Sequence, residues 1–553
     1  MKKALYILVS LSVLCFGMQL YVPLHDPVYA YLERMATRGI VPEMMNDTRP
    51  LQRDAVTRYL LDVRARQAEL PRVDRELLDD FLSEYRRDLE KGKHPAVTGD
   101  ADHRLGIASL ANLKEDLGHV FRDDPRKEKR RIYMFEDEKH TVWVGSDFTV
   151  RGEARNTTLR SVDQLGGQAF IQAGEHLAFY ADAYFFHQYK AEGWEEPPRE
   201  FRGYWYNDHE YEHFATFDRS QAYANISGGF GTLTVAHYPV VWGNSLHSVI
   251  LSGDAIPFGS LQWAKRFRHF KYTFLHGSLM TDTYTLTDDG REYVPKYLVA
   301  HRLEMHLAPR LHVNFSELLI YGNRIPEPTY LVPMVFLWPS EHALGDRDNN
   351  MIALETEVFP LNGLRLYGTV FLDELSFSRI FKDWWANKFA LQAGMQWSPL
   401  SFPGDLLLEM TAVHPWTYTH RFSFGPHTHH GNDLGFYLGP NSQLFTGKIN
   451  ADVSRKHRLT LTYRHQLKGA DSLSVGGVMY PSGGNSNQDY DERATELDDH
   501  TTWLMGKINK TTSLRMEWRY RWRNQVHFLS GCELRSIQGK RDLYYSFQVN
   551  VNY

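Results

Sequence analysis

The stretch from Leu543 to Tyr553, L-Y-Y-S-F-Q-V-N-V-N-Y, constrains the fold more than any other part of the chain. Leu543, Tyr545, Phe547, Val549, Val551 and Tyr553 share one face of an extended strand. Tyr544, Ser546, Gln548, Asn550 and Asn552 share the other. An amphipathic strand that runs out on an aromatic is expected of a sheet closing on itself in lipid, apolar face outward. An ordinary edge strand of a soluble sheet is the plainer alternative.

The same alternation recurs from about residue 140 onward and favours the first reading. Leu514, Met516, Trp518, Tyr520 and Trp522 point one way, while Arg515, Glu517, Arg519, Arg521 and Arg523 point the other. Five charged groups on one strand face require water or opposite charges, and a wet or ion-paired barrel lumen supplies both. Leu303–Met305–Leu307, Leu406–Leu408–Met410 and Leu459–Leu461–Tyr463 repeat the pattern. Glu304, Glu317, Glu355, Glu357 and Glu409 are expected on lumen-facing positions, paired with Arg302, Arg464 and Arg515. Gly228-Gly229-Phe230-Gly231 and Gly174-Glu175-His176 read as tight hairpins.

Mean hydropathy is only -0.45, although 14% of residues are aromatic. That combination suits strands apolar on one side and excludes a helical membrane protein, since no long apolar run follows residue 20. The formal charge of -5, with no basic block, argues against nucleic acid as a partner. Residues 140–553 therefore read as an all-β, antiparallel transmembrane barrel. At roughly 20 to 25 residues per strand and connection, they provide about 16 to 20 strands.

The N-terminal part is different material. Met1-Lys2-Lys3, an apolar stretch to Phe16 and then Gly17 read as a signal peptide over 1–17. Residues 18–95 read as a small periplasmic helical module. Its helices are expected over Pro27 to Arg38, with Asp26 as cap and Gly39 as stop, over Arg53 to Arg66, and over Val73 to Glu90. Residues 96–139 read as a linker or as the first barrel hairpin. The localisation that follows is the outer membrane of a Gram-negative-type bacterium, with outer-membrane lipid as one partner. The strand ending at Tyr553 is expected to engage the barrel-assembly machinery.

Internal blocks carry a family resemblance. The segment from Gly231 through Trp242-Gly243-Asn244 to Ser252-Gly253-Asp254-Ala255-Ile256-Pro257-Phe258 resembles a block of the Wzi family of capsule-assembly outer-membrane proteins. Phe315-Ser316-Glu317, Asp348-Asn349-Asn350, Pro415 to Tyr418 and Gly439-Pro440-Asn441-Ser442 follow in the family's order. In this reading Trp242, Gly243, Ser252, Pro257, Gly439 and Pro440 are structural motif residues. Asn244 stands where the family often has Pro. The resemblance implies an 18-stranded barrel over a helical bundle, and a non-enzymatic lectin role in holding surface polysaccharide. The alternative is an outer-membrane pore for passive or ligand-selective uptake. The helical module also resembles, faintly, an S-layer-homology repeat, which implies a further partner in peptidoglycan.

Candidate carbohydrate-binding residues are Trp384 and Trp385, since indole faces pack on the apolar faces of pyranose rings, together with Trp242 and Asp254 of the family-like block. His427, His429 and His430 form a weak metal candidate that no helix or cysteine supports; no metal or other cofactor is expected. No G-x-S-x-G pattern suggests catalysis.

Overall fold

The computed structural model describes residues 19–90 and 131–552, apart from 138, 191–193, 195–204, 212–213, 283, 288–289, 375, 381, 472 and 524. The expected signal peptide, most of the 96–139 segment and Tyr553 lie outside the described residues.

Eighteen antiparallel strands close into one barrel. In chain order they begin with β1 His140–Arg155, β2 Thr158–Ala173, β3 Leu177–Lys190, β4 Phe214–Gly228, β5 Gly231–Tyr238 and β6 Phe258–Arg266. They continue with β7 Phe270–Leu279, β8 Lys296–Ala308, β9 Leu311–Gly322, β10 Asn349–Leu361, β11 Leu364–Glu374 and β12 Lys388–Trp397. The last six are β13 Gly404–Val413, β14 Ser442–Ser454, β15 His457–Gly469, β16 Ile508–Arg523, β17 Val526–Ile537 and β18 Lys540–Asn552. β18 pairs with β1 in the register Phe547↔Gly152 and Val551↔Phe148, which closes the sheet. Tyr133–Glu136 extends the edge of β1 below that seam.

The period-two pattern sorts side chains as the physics requires. Leu514, Met516, Tyr545 and Phe547 are exposed on the outer wall, whereas Arg515, Arg519 and Arg521 line an interior cavity. An apolar outer wall and charged lumen make this an outer-membrane barrel. None of the described helices is long and apolar enough to cross a membrane.

Short turns join the strands at the end that holds both barrel termini, and the long connections 239–257, 280–295, 323–348, 414–441 and 470–507 lie at the other. Barrels of this kind keep short turns on the periplasmic side. Two short hairpins, at 156–157 and 538–539, are the exceptions at the outer end and flank the closure seam.

The N-terminal module holds α1 Pro27–Thr37, α2 Arg53–Ala65, α3 Arg72–Glu84 and α4 Arg86–Glu90. Asp26 accepts the Val28 N–H at 2.9 Å, and Gly39 leaves α1 at φ +74°, a conformation that disfavours a side chain. The single third helix expected over 73–90 is interrupted at Tyr85. Arg53 donates to the Glu84 carbonyl and to Asp88, both at 2.6 Å, and a side chain inserted there breaks the helical ladder. Val28, Leu32, Met35, Val56, Leu60, Val63 and Leu78 have no exposed surface and form the module's core.

This module sits in the mouth of the barrel at the end where the short turns lie. Tyr21 bonds to Tyr223 and Thr234, Tyr59 to Arg266, and Thr37 to Gln396. Arg34 reaches Asp452 at 2.6 Å, and Asp80 pairs with Arg521. These partners belong to β4, β5, β6, β12, β14 and β16, so the module is held around most of the circumference. Arg34 and Arg38 share Asp74, at 2.8 and 2.6 Å, with all three side chains buried.

Candidate functional site

β5 is short because the chain leaves the wall at Tyr238 and turns into the lumen. Val241–Trp242 pairs there with Thr48–Arg49 of the module. Gly243, at φ +136°, donates its N–H to the Asp47 carbonyl at 2.9 Å, and a Cβ at that position would collide with Ser248. Trp242 has no exposed surface, and its ring lies 5.9 Å from the Arg302 guanidinium carbon. It therefore packs the plug rather than offering a face to a sugar. Valines, leucines and alanines of β7 to β14 complete this core.

Beneath it runs a belt of buried ion pairs. Arg302 meets Glu355, Lys271 meets Glu304 at 2.8 Å, and Arg365 donates through Nε to Glu357 at 2.6 Å. Asp47 accepts from Asn314 at 2.6 Å, and burial followed by the nearby Glu357, Glu304 and Glu355 pushes its carboxyl well up. Glu409 accepts the Leu246 N–H at 2.7 Å and the Tyr367 hydroxyl. The expected pairings are thus corrected in part. Only Arg302 among the three arginines serves this belt; Arg515 pairs instead with Glu517 at 2.9 Å. Glu317 is not in the lumen at all. Its neighbours Leu318 and Ile320 face the core, so Glu317 faces outward.

The 414–441 connection closes the outer end over the plug. Tyr418 donates its hydroxyl to the Val249 carbonyl at 2.7 Å, and the Ser252 N–H donates to the Leu434 carbonyl at 2.7 Å. Trp416 and Tyr418 hold φ values of +68° and +73°, a left-handed conformation that bulky residues keep only when their surroundings enforce it. Lys468 gathers the carbonyls of Leu438, Pro440 and Gly484 between 2.5 and 2.8 Å, which explains the Gly439-Pro440 turn.

His427 bonds through Nε2 to the Ile250 carbonyl at 2.8 Å, and His429 accepts the Met280 N–H at 2.9 Å. His430 is exposed. Burial pushes the imidazoles of His427 and His429 down to about 4 and about 3. The grouping with metal-ligand spacing among the described residues is instead Glu341, His342 and Asp346, whose ligand atoms lie within 4.8 Å of one another.

Trp384 and Trp385 lie in the outer 375–387 connection. Trp385 is 9% exposed, with the Arg493 guanidinium 3.6 Å from its ring centroid and Tyr490 on it at 5.3 Å. Trp384 is partly exposed, with Arg379 at 3.9 Å. These tryptophans stack on protein cations, and Trp384 retains some open ring surface.

The space left by the plug is a cavity of about 1260 Å³ along β1–β4 and β14–β18. Its floor is the module, from Leu20 to Pro27 with Asp80 and Glu84, and its side is Gly253 to Pro257 with Tyr437. Asp254, 3.8 Å from His247, is the candidate residue that reaches it. The walls carry Arg151, Arg219, Arg464, Arg515 and Arg519 beside Tyr180 and Tyr184. Asp147 accepts from Tyr184 at 2.6 Å, Asp182 lies 3.8 Å from Arg219, and Asp452 is shared by Arg34 and Arg458. The excess is basic. Sequence periodicity places these arginines in the lumen but cannot say which half of the lumen the 239–257 segment fills.

Comparison with solved structures extends over nearly the whole chain. Wzi from Escherichia coli, an outer-membrane protein involved in group 1 capsule assembly and described as a carbohydrate-binding β-barrel, superposes with a TM-score of 0.55. The match covers 97% of this chain and 99% of that one, at 12% sequence identity.

This chain has the Wzi fold.

The outer-membrane protein OprD of Pseudomonas aeruginosa gives a TM-score of 0.40 at 10% identity, covering 74% of this chain and 94% of that one. No protein-family model matches the sequence, and no curated protein matches it. The likeness to Wzi extends through the helical module as well as the barrel, since nearly the whole of both chains is covered.

Proposed function

We propose that this protein is a non-enzymatic binder of surface polysaccharide, holding a capsular or related glycan at the outer membrane. The observation that carries the reading is the basic cavity, walled by Arg464, Arg515 and Arg519 and floored by the module. Guanidinium groups bind sugar carboxylates or phosphates through paired hydrogen bonds. Tyrosines and Asp254 supply apolar faces and a hydroxyl acceptor beside them, and Trp384 gives a second, shallow platform at the outer end. Weak contacts repeated along a polymer add up without a deep pocket. The carbohydrate binding attributed to the E. coli Wzi barrel supports the same direction.

In this reading residues 1–17 are cleaved on export, 18–95 form the periplasmic floor, and the strand ending at Tyr553 is read by the barrel-assembly machinery. Peptidoglycan remains a partner to be tested with the full protein.

A second reading, a selective pore for anions, draws on the same charged cavity. The two separate experimentally. Purified wild-type barrel should retain acidic polysaccharide in a pull-down, an Arg464→Glu/Arg519→Glu variant should lose most of that retention, and planar bilayers should show little steady current. Steady anion-selective current without glycan retention would favour the pore.

A further inference from the structure

The 323–348 connection does not project from the barrel rim. It folds back down the outer wall. Phe274, Val299, Leu319 and Tyr321 have the strand parity of the outside face, opposite to the lumen-packed Leu275, Leu298, Leu318 and Ile320. Yet they are buried, because Tyr330 and Leu337 of this connection lie on them. Its short helix α5, Leu337–Ala343, begins over Glu317, whose two carboxylate oxygens accept the N–H groups of Leu337 at 3.0 Å and Trp338 at 2.8 Å. Glu317 is five residues from the outer end of β9, roughly 16 Å along the strand. The clasp therefore reaches well below the rim.

Its outer surface is apolar. Ile325 is 80% exposed, Phe336 74%, Met334 69%, Val332 53% and Trp338 52%. Much of its backbone, by contrast, presents no free N–H group. Pro326, Pro328, Pro333 and Pro339 have no N–H. The N–H groups of Glu327, Thr329, Tyr330, Val332, Val335, Leu337 and Trp338 are all bonded within the protein. An aqueous loop has no need of that economy, whereas a segment facing hydrocarbon requires it. The exposed set is continuous with the lipid-facing wall of the adjoining strands, where Leu261, Phe315 and Leu354 are exposed.

We infer that the 323–348 connection is a membrane-facing clasp that seats Val332, Met334, Phe336 and Trp338 among the acyl chains of the outer membrane, with Glu317 as its anchor on the barrel wall. Glu317 is thereby a positioning residue. A carboxylate on a lipid-facing wall is costly when bare, and the covering turn shields it and supplies two donors.

The test uses the full chain with Cys15 and Cys532 replaced by serine and a bimane fluorophore on Met334→Cys, or on Asp346→Cys as an aqueous control. The protein is reconstituted in phosphatidylcholine vesicles with or without brominated acyl chains. At position 334, brominated lipid should quench severalfold more strongly than aqueous iodide, with the reverse at 346. Glu317→Gln in the same background should raise iodide quenching at 334 by releasing the clasp. Strong iodide quenching at 334 in the parent, with none from brominated lipid, would overturn the inference. So would protection from both quenchers together with cross-linked dimers, which would make a second copy the occupant.

Discussion

Trp242 lies at the junction of three structures: the inward segment after β5, the Thr48–Arg49 strand of the module, and the ion-pair belt of the wall. Replacing it with alanine leaves a cavity that a closed barrel cannot collapse around, and should cost about 3–5 kcal/mol. The check is the denaturant midpoint for loss of the heat-modifiable folded band; an unchanged midpoint would contradict the packing role. The buried histidines of the outer cap make a second prediction at this scale. His427 and His429 are held neutral, at about 4 and about 3, by burial. In an opened loop a histidine takes a proton near 6.5. Between those values the opened cap binds more protons than the closed one, so the cap's stability falls as pH drops from about 6.5 toward 4. Limited proteolysis should therefore cut within 414–441 faster at pH 5 than at pH 7.5, and equal rates would refute the claim.

At the scale of elements, the module is tied to the barrel by a buried triad in which Asp74 bridges Arg34 and Arg38 while Arg34 also holds Asp452. Removing one member of such a network strands the others in a dry site, at roughly 3–5 kcal/mol. Asp74→Ala should thus loosen the floor and expose α1–α3 to protease added from the periplasmic side, with the barrel still inserted. The helices themselves were legible in the sequence, because capping by Asp26 and the stop at Gly39 are local chemistry. So were the faces of strands such as residues 514–523 and Lys540–Asn552, where alternation is plain, though Leu318-Leu319-Ile320-Tyr321 shows none. The break at Tyr85 was not legible, because it depends on Arg53 arriving from another helix. Nor was the outward placement of Glu317. Alternation gives two faces, and which of them is wet depends on strand register and on a connection that folds back over the wall. Trp385 was marked by residue type, and its ring is nearly enclosed; Trp242 was marked by its motif, and its burial suits the structural role given it there. Asp254 was marked by its motif and does reach the cavity.

The molecule as a whole is a barrel filled along one side and open along the other. The plug and cap occupy the half next to β6–β14, and the cavity follows the half that carries the closure seam and its two short flanking hairpins. A floor formed by the module is expected to block conduction. Intact protein should pass little steady current, and Asp74→Ala, which weakens the floor, should show frequent large openings; a wild-type barrel that conducts steadily would contradict the plugged lumen.

The most direct measurement is the partition of surface polysaccharide between cells and medium, comparing a strain that lacks this protein with the same strain carrying wild-type or Arg464→Glu/Arg519→Glu protein. The account predicts that the deletion strain still makes the glycan but sheds it, that wild-type protein restores retention, and that the charge-reversed variant does not, though it is inserted at equal levels. Unchanged retention in the deletion strain, or full rescue by the charge-reversed variant, would contradict it.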